Sequence, residues 1–474
     1  MLDATILPTQ PGAAFCQEWR DMRKLLGAAI AAALVCVGVS SQTRLRNDAV
    51  TQVAAEGDIV GSFGQPVTFA THAELANYGF SFGPSDGSIG AIPAGGGSYT
   101  FYGSAGSTAS CIATPNVHGT FPFNGTLDRV SGINGGCKRL FGPGDAPVGG
   151  YAFDKDYAGG GGVVRFSSGG KSGWLMSFHA EFHWQNMANP PSFLCSAGGN
   201  STSMVPCFYS SIGLAVSTDD GKTFRVAGQI VQPSEPLSLF EGGGNNMAVG
   251  YGSLLVADVN GKHLDNPPPD PANAYFYVFY SDRLQGSPGA CNNAVCLGVA
   301  RAVYADVVTA ALSGDGHQVA QLFHKYDGAS PNPWTQPATS FVQGSATPDL
   351  SGTAGKFAPL WTDEAAASPI VLYDRSFDVY LAVYITGVGA SIKARASSDI
   401  IHWSEPISAP YTEAGRAVFY PTLIGETGDP AIGGPAPRVY FTSFPTGLFP
   451  DYATSVFESV TLTLARQRRR AAKH

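Results

Sequence analysis

Short apolar stretches recur along most of the chain in groups of three, separated by segments rich in Gly, Ser and Pro. Each group holds a short apolar stretch, an aromatic-rich stretch and a stretch in which small and apolar residues alternate. Their lengths, their β-branched and aromatic content and their Gly or Pro borders predict β-strands. The four groups comprise 161–166, 174–184 and 212–224; 250–258, 275–283 and 297–304; 368–374, 379–386 and 391–403; and 419–425, 438–444 and 455–464.

One sheet of this size cannot bury both of its faces, so the repetition predicts sheets that stack around an axis or along a line. The stretch from about Gly61 to Val130 is also strand-like and could supply a fifth copy. The fold class is therefore all-β, and a single five-bladed β-propeller over residues 42–465 is the favoured architecture. A six-bladed, sialidase-like propeller and a β-sandwich are the alternatives.

Composition agrees with an all-β protein and narrows its partners. The 474 residues include 59 Gly and 33 Pro, and only 14 % are charged. Glycine at this density disfavours helices, because each one weakens a helix interior by about 1 kcal/mol. The 44 % apolar content argues against disorder. A net charge of −8 offers no electrostatic footprint for nucleic acid, so no nucleic-acid partner is expected.

The beginning of the chain predicts export. A basic segment at 22–24 precedes an apolar run at 25–39 and two serines at 40–41, which is the order of a secretory signal. The run is shorter than the roughly 20 residues that span a bilayer. We therefore expect a leader over 1–41 with the signal at 22–41, a secreted, periplasmic or cell-surface protein, and no membrane span in the mature chain. The alternative to a cleaved signal is an anchor that stays uncleaved. At the other end of the sequence, residues 466–474 are expected to form a basic tail.

Six cysteines outside the leader form three local couples in Gly-, Ser- and Asn-rich loops. We expect the disulfides Cys111–Cys137, Cys195–Cys207 and Cys291–Cys296, which would place the protein in an oxidising compartment. The spacing of Cys and His indicates no metal cluster. No cofactor is expected, and a structural calcium ion is left open.

Residues 217–224 (STDDGKTF) match the Asp-box pattern S-x-D-x-G-x-T-W/F. In such a hairpin the Asp accepts turn N–H groups, the Gly takes a positive φ and the aromatic ring packs under the turn. A shortened relative lies at 397–399 with Trp403. The pattern resembles that of sialidases and other propeller proteins, and it implies architecture, not chemistry.

Three phrases, SSDIIHWSEP (397–406), LGVARAV (297–303) and YVFYSDR (277–283), resemble the five-bladed glycosidases of glycoside hydrolase families 43 and 32. The resemblance extends over about 150–465. It implies hydrolysis of a glycosidic bond by a base Asp and an acid Glu, with a third Asp that tunes the acid.

In a propeller, the loops that lead into the inner strands meet the loops that leave the second strands at one rim. Acids on these loops are Asp154, Asp156, Glu181, Glu241, Asp282, Asp363, Glu364 and Glu413. Glycoside hydrolysis needs two carboxylates across the scissile bond. Carried over from the resemblance, Asp156 is the candidate base, Glu241 the candidate acid and Asp282 the tuning residue, while Glu181 is a competing acid.

The densest constellation is the phrase HAEFHW (179–184). Strand alternation places His179, Glu181 and His183 on one face, where they could hold a sugar hydroxyl. A metal is not assigned there, because no fourth ligand is identifiable. The predicted substrate contacts are His179, His183, Trp184, Tyr251, Arg283 and Tyr420.

The sequence therefore favours a secreted glycoside hydrolase that acts on a poly- or oligosaccharide. One alternative is a propeller that binds glycan or protein without catalysis. A second is a sialidase-like exo-glycosidase, which needs three arginines around a substrate carboxylate; the available ones are Arg165, Arg283, Arg375 and Arg416.

Overall fold

The computed structural model describes residues 59–73, 87–95, 98–104, 116–122, 153–154, 157–159, 161–183, 208–234, 249–284, 289–291, 294–329, 333–334, 352–353, 355–387, 389–425, 429–446 and 454–467. All of them belong to one compact unit, Ala54–His474. The expected leader and the cysteines of the first two expected disulfides lie outside the described residues. The third expected disulfide, Cys291–Cys296, is formed.

Strands dominate the described chain. They are β1 Ile59–Phe63, β2 Val67–Thr71, β3 Gly90–Gly95, β4 Ser98–Ser104, β5 Asn116–Pro122, β6 Tyr157–Gly159, β7 Val163–Ser168, β8 Lys171–His183, β9 Phe208–Ser217, β10 Arg225–Val231, β11 Gly250–Asp258, β12 Ala274–Leu284, β13 Ala294–Val303, β14 His324–Lys325, β15 Ala367–Asp374, β16 Val379–Thr386, β17 Ser391–Ser397, β18 Arg416–Ile424, β19 Ile432–Gly433, β20 Arg438–Pro445 and β21 Val456–Arg466. The described residues also form the helices α1 Tyr304–Ser313 and α2 Gly316–Ala320 and the 3-10 turn Gly289–Cys291.

The protein is all-β, with four sheets in a propeller-like arrangement. Blade 1 has the strand order β10-β9-β8-β6, with β7 also on β8, and blade 2 the order β11-β12-β13-β14. Blade 3 is β17-β16-β15-β19, and blade 4 is β1-β21-β20-β18, with β2 on β21. Strands β1 and β2 from the start of the described chain therefore complete the blade that contains its last strand.

The core lies between successive blades. One apolar cluster joins blades 1 and 2, a second joins blades 2 and 3, and a third joins blades 3 and 4. Helix α1 packs into the first of these clusters through Tyr304, Val307, Val308 and Ala311. This helix was not predicted from the sequence, which assigned Tyr304 to the end of a strand.

A fifth, three-stranded sheet, β3-β4-β5, packs against blades 1 and 4. Next to blade 4, the N–H of Ile89 donates to the hydroxyl of Thr422 at 2.8 Å. Next to blade 1, Gly90 is so close that a Cβ atom there would lie 2.4 Å from Cγ2 of Val163. A cavity of about 30 Å³ is lined by Gly90 together with Val163, Leu254, Val371 and Leu423 of the four blades.

The inner strands β11, β15 and β18 each carry one extra residue near their start. In β15, for example, Ala367 pairs with Ile385 of β16, and the next pair is Ile370 with Val383. Two residues of β15 thus lie between these pairs but only one residue of β16, which defines a β-bulge in β15. Such bulges bend a strand and redirect its side chains. Ser368 and Tyr420, at these bulges of β15 and β18, have φ values of +52° and +55°.

The turn at 217–224 is closed by side chains. The Asp219 carboxylate accepts hydrogen bonds from the N–H of Thr223 at 2.9 Å and from its hydroxyl at 2.6 Å. The ring of Phe224 packs edge-on against Tyr102 of β4, with centroids 5.6 Å apart. These contacts tie blade 1 to the three-stranded sheet.

Candidate functional site

The inner strands of the four blades begin, and their second strands end, at the same end of the molecule. Within each blade, the start of the inner strand pairs with the end of the second strand, at Tyr157–Glu181, Gly250–Ser281, Ala367–Ile385 and Arg416–Pro445. Neighbouring inner strands meet at matching positions: the N–H of Gly162 donates to the carbonyl of Gly252 at 3.1 Å, and the N–H of Val371 donates to the hydroxyl of Ser253 at 3.1 Å. We call this end the mouth. Among the acids that the sequence predicted to meet there, the described residues include Asp154, Glu181, Asp282, Asp363, Glu364 and Glu413.

The structure brings His179 and Glu181 together at the mouth end of β8. Nε2 of His179 lies 2.9 Å from Oε1 of Glu181. The imidazole is buried, whereas the Glu181 side chain keeps 17 % of its surface exposed. Because a carboxyl group and an imidazole in contact can exchange a proton with a bound ligand, this pair has the composition of a general acid–base site.

Asp282 is held differently, at the mouth end of β12. Its side chain is 2 % exposed, and its two oxygens accept the N–H groups of Ser234 at 2.8 Å and Arg283 at 2.7 Å. Burial raises the pKa of Asp282, and the ammonium group of Lys325, 3.9 Å away, opposes that rise. The carboxyl therefore organises backbone between blades 1 and 2.

Lys325 completes this buried site. Its ammonium group donates to the carbonyl of Gln232 at 2.7 Å, the hydroxyl of Ser234 at 3.0 Å and the carbonyl of Gly355 at 3.1 Å. All three ammonium hydrogens thus have partners, which is how a buried lysine is tolerated. No local sequence pattern marks Lys325 as a site residue, because its partners, Asp282 included, come from three distant segments.

A network of four charged side chains lies at the mouth between blades 2 and 3. Arg395 on β17 is 1 % exposed, and its guanidinium group donates to Asp363 and, at 2.9 Å, to Glu364. Glu364 also binds Lys393 and accepts the hydroxyl of Tyr384 at 2.5 Å. These donors hold the pKa of Glu364 below its usual range, although partial burial alone would raise it.

A second pair of acids lies at the mouth end of blade 4. Glu413, in the loop before β18, accepts the hydroxyl of Ser443 at 2.5 Å, and Arg416 is 3.7 Å from its other oxygen. Glu458 on β21 contacts Glu413. Burial, reinforced by this second carboxyl group, raises the pKa of Glu458 to about 7.

The other predicted site residues have different positions. Arg283 is half-buried beside Asp282. Tyr420 is 7 % exposed and packs against Phe419, with ring centroids 5.7 Å apart. The structure describes the backbone of His183 and Tyr251 but not their side chains. Asp156, Trp184 and Glu241 lie outside the described residues.

Two of the arginines considered for a sialidase-like site, Arg375 and Arg416, do not meet in one site. Arg375 binds Asp265 at 3.0 Å, in the turns that follow β15 and β11 at the end opposite the mouth. Arg416 donates to the hydroxyl and, at 2.7 Å, to the carbonyl of Ser443. Two of the four arginines named for that chemistry are therefore committed to other partners.

Over the described part of the chain, no group of three His, Cys, Asp or Glu side chains is placed to hold a metal ion. Within that same part, no helix has the length and apolar character needed to cross a membrane.

No protein-family model and no curated protein matches the chain. Solved structures with a similar arrangement include several glycoside hydrolases. They include the catalytic domain of a GH62 α-L-arabinofuranosidase from Coprinopsis cinerea, at 12 % identity and a TM-score of 0.42, covering 86 % of this chain and 98 % of that one. A family 117 glycoside hydrolase from Zobellia galactanivorans has 12 % identity and a TM-score of 0.44, with 85 % and 91 % covered.

An exo-β-1,3-galactanase from Phanerochaete chrysosporium, solved with β-1,3-galactotriose, has 11 % identity and a TM-score of 0.38, covering 79 % of this chain and 60 % of that one. All three TM-scores lie below 0.5.

Proposed function

We propose that the protein is a glycoside hydrolase that cleaves a poly- or oligosaccharide at the mouth. The observation that carries this proposal is the contact between His179 and Glu181, a part-exposed carboxyl group with a buried imidazole at its side. Glycoside hydrolysis needs one carboxyl group to protonate the leaving oxygen and a second to activate water or attack the sugar. Glu181 is the described residue best suited to the first role.

The second carboxylate is proposed to be Asp156. In the sequence it directly precedes Tyr157, and Tyr157 is the cross-strand partner of Glu181. Glu241 remains an alternative acid, proposed from the sequence alone. Asp282 is proposed as a positioning residue, because its oxygens are occupied by backbone N–H groups and it is almost fully buried.

We further propose that the β3-β4-β5 sheet is a fifth blade. Its contacts with Thr422 of blade 4 and Val163 of blade 1 support this. Gly90 of this sheet also lines the cavity that residues of all four blades enclose. The ring would then close between blades 4 and 1. This arrangement would place five inner strands around the mouth, as the resemblance to families 43 and 32 implies.

Export is part of the same proposal. The signal-like segment at 22–41 and the Cys291–Cys296 disulfide support a secreted, periplasmic or cell-surface protein, since disulfides persist in oxidising compartments. A polysaccharide substrate outside the cytoplasm fits that location.

Hydrolysis of chromogenic glycosides and cell-wall polysaccharides tests the function. We expect Glu181→Gln and Asp156→Asn each to lower kcat by about 100-fold or more, because an acid or base typically contributes that much. Glu405→Gln, at an exposed position, is the control and should retain full activity. Wild-type protein that binds these glycans but cleaves none would instead support the non-catalytic binding propeller.

A further inference from the structure

The loop that leads into β15 is fixed in place at the mouth. Within it, the carbonyl of Thr362 accepts the N–H of Ala290 at 2.9 Å, and Ala366 donates to the carbonyl of Val295 at 3.0 Å. Val295 lies inside the loop that the Cys291–Cys296 disulfide closes, and Ala290 directly precedes Cys291. The Asp363 and Glu364 side chains therefore project from a backbone held at both ends.

The buried guanidinium group of Arg395 fixes the orientation of the Asp363 carboxylate. Its guanidinium group donates to the hydroxyl of Tyr384 and to the carbonyl of Ser404, each at 2.9 Å, and lies 4.7 Å from the centroid of the Trp361 ring. A guanidinium group with these partners, in addition to the two carboxylates, has one available orientation. An arginine confined in this way presents its carboxylate partner in a fixed geometry.

Two members of the network face solvent. The Asp363 side chain is 42 % exposed and that of Lys393 is 23 % exposed. Among the described residues, Arg395 binds one oxygen of Asp363, Oδ2, and the other oxygen has no partner. Lys393 binds Glu364 through its ammonium group, which has three hydrogens to donate. The surface thus offers an acceptor and a donor that are joined through the buried Arg395 and the partly buried Glu364.

We propose that Asp363 and Lys393 form a sugar-binding subsite at the mouth between blades 2 and 3, with Arg395 as its positioning residue. The subsite takes a neutral sugar, whose neighbouring hydroxyls donate to Asp363 and accept from Lys393. The negative charges of the two carboxylates balance the positive charges of the lysine and the arginine, so the network has no net attraction for an anionic or a cationic ligand. The proposal rests on the glycan-processing function proposed above and names a second place where the chain of a longer substrate is held.

Substrates of different length test the subsite. With neutral xylo-, arabino- and galacto-oligosaccharides, we expect Asp363→Ala to raise KM, or the Kd from calorimetry, by about tenfold, with kcat within about twofold. The rise should be larger for longer oligosaccharides than for a monosaccharide aryl glycoside. Arg395→Lys keeps the charge but loses the planar fork, and it should change KM in the same direction.

The control is Asp265→Ala. It removes an exposed carboxylate that also pairs with an arginine, Arg375, but at the end opposite the mouth. It should leave KM and Kd unchanged.

Four outcomes decide the proposal. A subsite role predicts that Asp363→Ala changes KM while the unfolding temperature stays close to that of the Asp265→Ala control. If Asp363→Ala lowers the unfolding temperature and leaves KM and Kd as in the wild type, the network is structural and the subsite is wrong. Cleavage by the wild type with tighter binding of uronate-containing than of neutral oligosaccharides would also overturn it. If the wild type neither binds nor cleaves any of these glycans, both the proposed function and the subsite fail.

Discussion

Glu413 and Glu458 lie side by side at the mouth end of blade 4, where the hydroxyl of Ser443 donates to Glu413 at 2.5 Å. Arg416 and Tyr411 are the other titratable side chains near the pair: Arg416 is 3.7 Å from Glu413, and Tyr411 has its pKa raised by burial and by both carboxyl groups. Two carboxyl groups in contact cannot both ionise without repulsion. Burial, reinforced by this repulsion, therefore raises the pKa of Glu458 to about 7.

This pair predicts that the protein loses stability as the pH rises. The pKa of Glu458 is about 7 in the folded protein, whereas a glutamate in an unfolded chain has its ordinary pKa of 4.5, so between these pH values the folded state binds more protons than the unfolded state. The contribution is fully present below about pH 4.5 and is lost by about pH 7. Glu458→Gln should remove this loss, which we expect to be on the order of 2 kcal/mol.

Urea unfolding at pH 5 and pH 8 measures the effect. The difference in unfolding free energy between the two pH values should be smaller in Glu458→Gln than in the wild type. The exposed Glu405→Gln control should keep the wild-type difference. Equal pH dependence in all three proteins would mean that Glu458 ionises freely in the folded state.

The sequence predicted the strands well because each carries its own local pattern. The prediction of 379–386 coincides with β16, and 368–374 differs from β15 by one residue. The missed helix α1 also had a local signal: Tyr304, Val307, Val308 and Ala311 are buried and follow the helical spacing i, i+3, i+4, i+7. The predicted strand at 297–304 included the first of these residues, Tyr304, and no element was predicted for the rest.

The partners within the mouth were harder to predict. Asp363 and Glu364 were selected by their position before an inner strand, but Arg395 and Lys393 were not. These two lie two residues apart on a strand whose other residues are small or apolar, so they share a face, and that was the available signal. Which acid each one meets depends on how blade 2 packs against blade 3, and no sequence spacing encodes that.

Gly90 tests whether the three-stranded sheet belongs to the ring. In Gly90→Ala the new Cβ would lie 2.4 Å from Cγ2 of Val163 and 2.6 Å from the carbonyl oxygen of Gly161, so β3 and β7 must move apart. We expect a loss of about 1–3 kcal/mol in unfolding free energy, as for other overpacked sites. Gly64→Ala is the control, since the nearest atom to its Cβ would be at an ordinary 3.6 Å. Equal stability of the two variants would argue against the fifth blade.

The Cys291–Cys296 disulfide should stabilise the loop beside Asp363. It closes a short loop, with a sequence separation of 5, for which the chain-entropy relation gives about 2 kcal/mol. We therefore expect the single variants Cys291→Ser and Cys296→Ser and the double variant to lose the same amount of unfolding free energy. A double variant much less stable than either single variant would show that the side chains contribute by packing and not through the bond.

Lys325 should contribute more to stability than any exposed lysine. Lys325→Met would leave Asp282 buried without its countercharge and would leave three oxygen acceptors without their donor. Breaking a buried ion pair in this way costs about 3–5 kcal/mol, whereas Lys262→Met, at an exposed position, should cost almost nothing. Adding Asp282→Asn to Lys325→Met should restore part of the loss, because the amide carries no charge to leave unpaired. A double variant in which the two losses simply add would show that Asp282 and Lys325 act independently.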